Sequence, residues 1–195
     1  LKPSDSMCEM HMDMSGGAAV IHTVALAAKL ELKKNITGLV PAVENMPSGS
    51  SYRPGDILKS LSGKTIEILN TDAEGRVILA DALTYAERYK PRLVVDVATL
   101  TGASLIALGQ YASAILTRSE ELETLFRKLG EESGDYVWPL PLWDEYEEGT
   151  KGNTGDVANI PANGNTRYGG VINGAMFLYQ FAKNYPWVHI DMAPR

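Results

Sequence analysis

Asp72, Glu74 and Arg76 stand at alternate positions in IEILNTDAEGRVILADAL, residues 66–83, with the small Ala73 and Gly75 between them. In an extended stretch, side chains two apart point the same way, so these three are expected to share one face. Gly75 lets the backbone approach a ligand closely. Two carboxylates held between Ile68 and Val77 repel each other unless a cation compensates them, and carboxylate oxygens are the donors that hard divalent metals take. The alternative is a solvated surface turn, which gives no reason for the flanking apolar runs or for Arg76 at the same spacing. Asp13, in MHMDMSGGAAV, is a third candidate ligand. Taken alone it reads as an acid near the positive end of a helix dipole.

The elements that must position these residues follow from periodicity. Residues 15–34 carry apolar positions at helical intervals and end in lysines, so a well-buried helix is expected there. Residues 36–43 read as a strand and 45–54 as a turn-rich loop. A strand over 64–69 and a helix over 77–89 bracket the acidic motif. LVVDV at 93–97 is apolar enough to be a strand buried on both faces. A helix over 101–108, a strand over 112–117 and a helix over 119–132 follow, with Ser119 as the N-cap candidate. The Gly- and Asn-rich stretch 150–170 reads as a long functional loop. Helix 171–183 and strand 187–192 complete the pattern. Strands alternating with helices predict an α/β fold, a three-layer domain with a mostly parallel central sheet flanked by helices. Ligands collect at the carboxyl ends of such strands, and NTDAEGR directly follows KTIEIL.

A chain of 195 residues with 45% apolar and 22% charged residues has the composition of one ordinary globular domain. It contains no apolar run of about 18 residues, the length that marks a membrane span, and LKPSDSM lacks the order of a signal peptide. A formal net charge of −6 and a pI near 5.1 disfavour a nucleic-acid surface, which needs clustered Lys and Arg. Cys8 is the only cysteine, so no internal disulfide forms, and the cytoplasm is the expected compartment.

LKPSDSMCEMHMDMSGGAA, GLVPAVENMPSG, YRPGDIL, NTDAEGRVILADAL and DVATLTGA together resemble the catalytic domain of the leucyl aminopeptidase family, also called cytosol aminopeptidases. The resemblance covers nearly the whole chain and implies a two-metal exopeptidase that removes leucine-like residues from peptide N-termini. By motif, Asp72 and Glu74 match metal ligands, with Glu74 bridging, and Asp13 matches a ligand of the tighter site. Zinc, manganese or magnesium are the implied ions. Lys2 matches the catalytic lysine, and Arg76, with Leu100, matches the site of a bicarbonate ion that shuttles the water proton. Met10, Thr99 and Ala193 match the pocket for the substrate's first side chain. A homohexamer is implied as well.

The chain departs from this family upstream of Leu1, where relatives carry a further metal-binding lysine and a bridging aspartate. The family's amino-terminal domain is also expected to be missing, so residues 1–195 are expected to be one catalytic domain incomplete at its N-terminal edge. At the other end, HIDMA matches, but Pro194 and Arg195 stand where relatives usually continue with Gly-Thr. Two other readings follow from these departures and from known relatives: a catalytically degenerate paralogue, or a DNA-associated binding protein. His11, His22 and His189 do not pair with one another at metal-ligand spacing and read as structural. SGKT at 62–65 lacks the glycine of a phosphate-binding loop, because Leu58 stands in its place, so nucleotide binding is excluded.

Overall fold

The computed structural model describes residues 7–163 and 167–192. Its main sheet has four strands in the order β3-β7-β4-β5: β3 (Val94–Ala98), β7 (Trp187–Asp191), β4 (Ser113–Leu116) and β5 (Val137–Pro139). β3 and β7 run parallel with Asp96 opposite His189, β4 and β5 run parallel, and β4 meets β7 antiparallel. A second, three-stranded sheet has the order β1-β2-β6, with β1 (Ile57–Lys59), β2 (Thr65–Glu67) and β6 (Val157–Ala158). There β1 and β2 form a hairpin, and β6 joins β2 in parallel. The α/β class expected from the alternation of elements is the one observed.

Five α-helices pack with these sheets: α1 (Ser15–Lys29), α2 (Gly75–Ala86), α3 (Gly102–Leu108), α4 (Glu120–Ser133) and α5 (Gly170–Tyr179). α5 is apolar almost all round and correspondingly central, with Ala175, Met176, Phe177 and Leu178 buried against Ile66, Ile68, Leu83 and Trp187. Burying side chains of this size contributes about 1.5–3 kcal/mol each. Ser119 caps α4 as expected, its hydroxyl accepting from Leu122 N at 3.3 Å.

Three expectations change. The first helix stops at Lys29, because Glu31 takes a left-handed φ of 52°, and only Gly16 and Ala27 along it are buried. Ile21, Leu26 and Leu30 stay exposed. Residues 36–43 form no strand among the described residues. A period-two pattern becomes a strand only where a neighbour supplies ladder partners, and this stretch lies instead along α1. A Cβ on Gly38 would meet Val24 Cγ2 at 3.1 Å, and one on Gly17 would meet Val40 Cγ1 at 3.0 Å. Third, β1 had no counterpart in the sequence reading, which ended the loop at residue 54 and assigned no element to 55–63. Beyond the paired strand residues the hairpin continues through Ile68 N to Asp56 O at 2.9 Å and Gly55 N to Ile68 O at 2.7 Å.

α1 approaches β3 so closely that a Cβ on Gly16 would lie 2.0 Å from Val97 O. Glycine is therefore required where the helix carrying Asp13 at its entrance crosses the strand leading to Thr99. Among the described residues, no helix is long and apolar enough to cross a membrane.

Candidate active site

The acidic motif leaves β2 as a turn, and α2 begins at Gly75. Glu74, with φ −83° and ψ −34°, is already helical, so residues 72–76 are not extended and do not present one common face. Asp72 is exposed, Glu74 is half-buried, and Arg76 is buried in the first turn of α2. The turn is organised by Asn159, whose side chain is fully buried. Its Oδ1 accepts from Leu69 N at 2.8 Å and from Asn70 N at 3.3 Å. Its Nδ2 donates to Asn70 O at 2.6 Å and Ala73 O at 3.3 Å. Its carbonyl accepts from Arg76 Nη1 at 2.9 Å. Asn70 Oδ1 in turn accepts from Asp72 N at 2.9 Å, the side-chain-to-backbone bond typical of an asparagine turn.

Asp13 reaches the same neighbourhood from the turn before α1, where its Oδ1 accepts from Thr99 Oγ1 at 2.7 Å. Glu74 Oε1 accepts from Asn45 Nδ2 at 3.0 Å. Burial, joined by the charges of Asp72 and Asp13, holds the Glu74 carboxyl above the usual carboxylate range. Burial and then Glu74 also push the Tyr52 hydroxyl up. Three carboxylates therefore feel one another here. Among the described residues, however, no group of three or more His, Cys, Asp or Glu lies close enough to hold a metal ion.

Arg76 stands behind this acidic face. Burial lowers its pKa to about 10, against the opposing pull of Asp191 and Glu74, so it is a cation at neutral pH. Its Nε is buried without a hydrogen-bond partner among the described residues. Asp191, fully buried at the end of β7, accepts from Leu100 N at 3.1 Å, Thr101 N at 3.2 Å and Thr101 Oγ1 at 2.6 Å. The Leu100 N–H is thus engaged by Asp191. The Leu100 side chain borders the turn: a Cβ on Gly75 would meet its Cδ1 at 3.8 Å, and one on Gly174 its Cδ2 at 3.1 Å and Arg76 Nη2 at 3.5 Å.

The structure brings together Asp13, Asp72, Glu74, Arg76, Thr99 and Leu100. Met10 is half-buried in a 3₁₀ turn, Met10–Met12, just before Asp13. Lys2 and Ala193 lie outside the described residues. His11 and His22 are exposed, whereas His189 is fully buried and hydrogen-bonds Asp96, Nδ1 to Oδ1 at 2.5 Å. Trp187 Nε1 donates to the other Asp96 oxygen at 2.5 Å. Burial alone would depress the His189 pKa, but attraction to Asp96 and this hydrogen bond raise it on balance.

Hard divalent cations suit the donor set, because the candidate donors are carboxylates and Glu74 is held high by burial and then by the charges of Asp72 and Asp13. A small anion suits Arg76, whose orphaned buried Nε–H is a charged donor without an acceptor. Sequence reasoning missed Asn159, Asn45 and Asp191. Only Asp191 carried a signal, as a carboxylate at the end of a mostly apolar strand.

The profile of the cytosol aminopeptidase family, catalytic domain, matches residues 1–195. A probable cytosol aminopeptidase of Azoarcus sp. (strain BH72) is 54% identical over 193 residues, which are 99% of this chain and 38% of that protein. The corresponding protein of Syntrophotalea carbinolica is 53% identical over the same shares of both chains. Among solved structures, the bottromycin maturation enzyme BotP superposes with a TM-score of 0.86 at 39% identity, covering 93% of this chain and 40% of that one. The chain thus spans about two fifths of the length of these relatives.

Proposed function

The chain belongs to the cytosol aminopeptidase family, and from that premise we propose that its parent protein is a metal-dependent aminopeptidase removing leucine-like residues from peptide N-termini. The observation that carries the proposal is the half-buried Glu74 carboxyl, which feels the charges of Asp72 and Asp13, with Arg76 buried in the helix turn that follows. Such a cluster costs stability unless a cation offsets it.

Asp13, Asp72 and Glu74 would hold two divalent ions, zinc, manganese or magnesium, with Glu74 shared between them. Bound there, the ions would supply Lewis acidity and lower the pKa of a water. Arg76, with Leu100 beside it, would orient a bicarbonate ion able to accept a proton. Lys2, assigned by resemblance, would place an ammonium near the developing oxyanion. Met10, Thr99 and Ala193 would wall the pocket for the N-terminal side chain. Because the Thr99 hydroxyl is committed to Asp13, only its methyl is left to face apolar substrate. The cytoplasm and a homohexamer belong to the same proposal.

Hydrolysis of leucine p-nitroanilide by the full-length protein, before and after thorough chelation, tests the reading. Activity is expected to vanish on chelation and return with manganese or zinc. A second reading, a catalytically degenerate chain, draws on the lack of three mutually close ligands among the described residues. It expects no turnover under any metal.

A further inference from the structure

Two of the three acidic residues of the site carry the same kind of partner. Glu74 accepts from a carboxamide, Asn45 Nδ2 at 3.0 Å, and Asp13 accepts from a hydroxyl, Thr99 Oγ1 at 2.7 Å. The donors come from different parts of the chain, one from the loop after α1 and the other from the end of β3. Both are neutral. In the same molecule Glu147, Glu148 and Asp144 are instead met by Lys183, Lys151 and Arg118. The hydrogen bonds to Glu74 and Asp13 thus come from groups that add no positive charge.

We propose that Asn45 and Thr99 are positioning residues, which fix Glu74 and Asp13 by neutral hydrogen bonds in the orientation that cation binding requires. The inference rests on the metal-site reading above and deepens it. A carboxylate oxygen has two lone pairs, so one N–H or O–H donor leaves the other free for a metal. A lysine or arginine in that place would also neutralise the charge and compete with the ion. A neutral donor stabilises the charged form and restricts rotation, without lowering the attraction for a dication.

Asn45 can act as a strut because its loop is tied down beyond it. Within the loop, Ser51 Oγ donates to Ser48 O at 2.8 Å, and Arg53 N donates to Asp56 Oδ2 at 2.8 Å. The Gly55–Ile68 and Ile68–Asp56 bonds then pin its end to the segment that leads into the acidic turn. Thr99 is fixed by the Asp191 bonds to the following two residues and by Met192 N to Ala98 O at 2.9 Å.

The test compares the full-length protein with Asn45→Ala, Thr99→Val and Thr99→Ser. Manganese affinity is measured by titration calorimetry, ions retained after dialysis are counted, and the melting temperature of the metal-free protein is recorded. Loss of a partner behind a ligand typically weakens metal binding about 10–100-fold. Asn45→Ala and Thr99→Val are expected to show a loss of that size with the metal-free melting temperature unchanged, and Thr99→Ser to restore parental affinity. Parental affinity in both Asn45→Ala and Thr99→Val would overturn the inference while leaving the metal site standing. So would a fall in metal-free stability with affinity unchanged, or failure of serine to rescue. A parent protein that retains no ion would overturn the metal-site reading and this inference with it.

Discussion

Asp191 is the residue whose removal should most clearly separate positioning of the site from the stability of the whole fold. Its carboxylate is fully buried and accepts three hydrogen bonds from the turn that carries Thr99, Leu100 and Thr101. It is also a countercharge for buried Arg76. Asp191→Ala strands two backbone N–H groups and a hydroxyl, each costing about 1–3 kcal/mol when unsatisfied. Removing one member of a buried charge arrangement typically costs about 3–5 kcal/mol in all. Asp191→Asn keeps an acceptor for both N–H groups, and the Thr101 hydroxyl can turn to accept from the new amide. Its cost should be smaller, about 1–2 kcal/mol. The assay is hydrogen exchange of the peptide spanning residues 99–104 in the full-length protein. At 1.4 kcal/mol per factor of ten, Asp191→Ala should lower protection there about 10²–10³-fold and Asp191→Asn about tenfold. Unaltered protection at residues 100 and 101 in the alanine variant would refute the reasoning.

Three further outcomes are expected. Glu67, buried on β2, accepts from Asn153 N at 2.6 Å and Thr154 N at 3.0 Å, and the Thr154 bond foremost holds its carboxyl below the usual range. Its stabilisation is present above the ordinary glutamate pKa and is lost as pH falls through the lowered folded value. Glu67→Gln should therefore cost about 1 kcal/mol at pH 7 and little in strong acid, measured by urea unfolding at both. Gly16→Ala puts a Cβ 2.0 Å from Val97 O, where backbone cannot yield cheaply. Its unfolding midpoint should drop by the equivalent of about 3 kcal/mol, and an unchanged midpoint would deny the close crossing of α1 and β3. Arg76→Ala should lower kcat about 10²–10⁴-fold with little change in KM, and added bicarbonate should stimulate the parent only. Equal stimulation of both would remove Arg76 from that role.

What the sequence made legible was local. Ser119 was readable as an N-cap because the competition of its hydroxyl for free helix N–H groups depends on a few neighbouring residues. α5 and β3 were readable as helix and strand because their apolar runs are long or nearly unbroken, but the expected burial of β3 on both faces fails, since only Asp96 of its five residues is buried. The acidic pair was readable as a chemical oddity, but its shape was not, since Gly75 opens a helix where alternation suggested extended chain. Residues 36–43 carried a strand pattern without a partner strand, and pairing is a tertiary fact. Asn159 and Asn45 were opaque for the same reason. An asparagine in a loop reads as a turn former, and only folding brings Asn159 onto residues some 90 positions away and Asn45 onto Glu74.

The central claim is that Asp13, Asp72 and Glu74 are held together for a cation, and Glu74→Gln in the full-length protein tests it most directly. The raised Glu74 pKa means that the folded state holds this proton more tightly than the unfolded chain, so ionisation at neutral pH opposes folding in the absence of metal. Neutralising the residue should remove that penalty and, at the same time, the ligand. Calorimetry of metal-free and manganese-loaded protein is expected to show a melting temperature that holds or rises for the metal-free variant, together with loss of most of the stabilisation by manganese. A variant that melts lower without metal and gains as much from manganese as the parent would contradict the account.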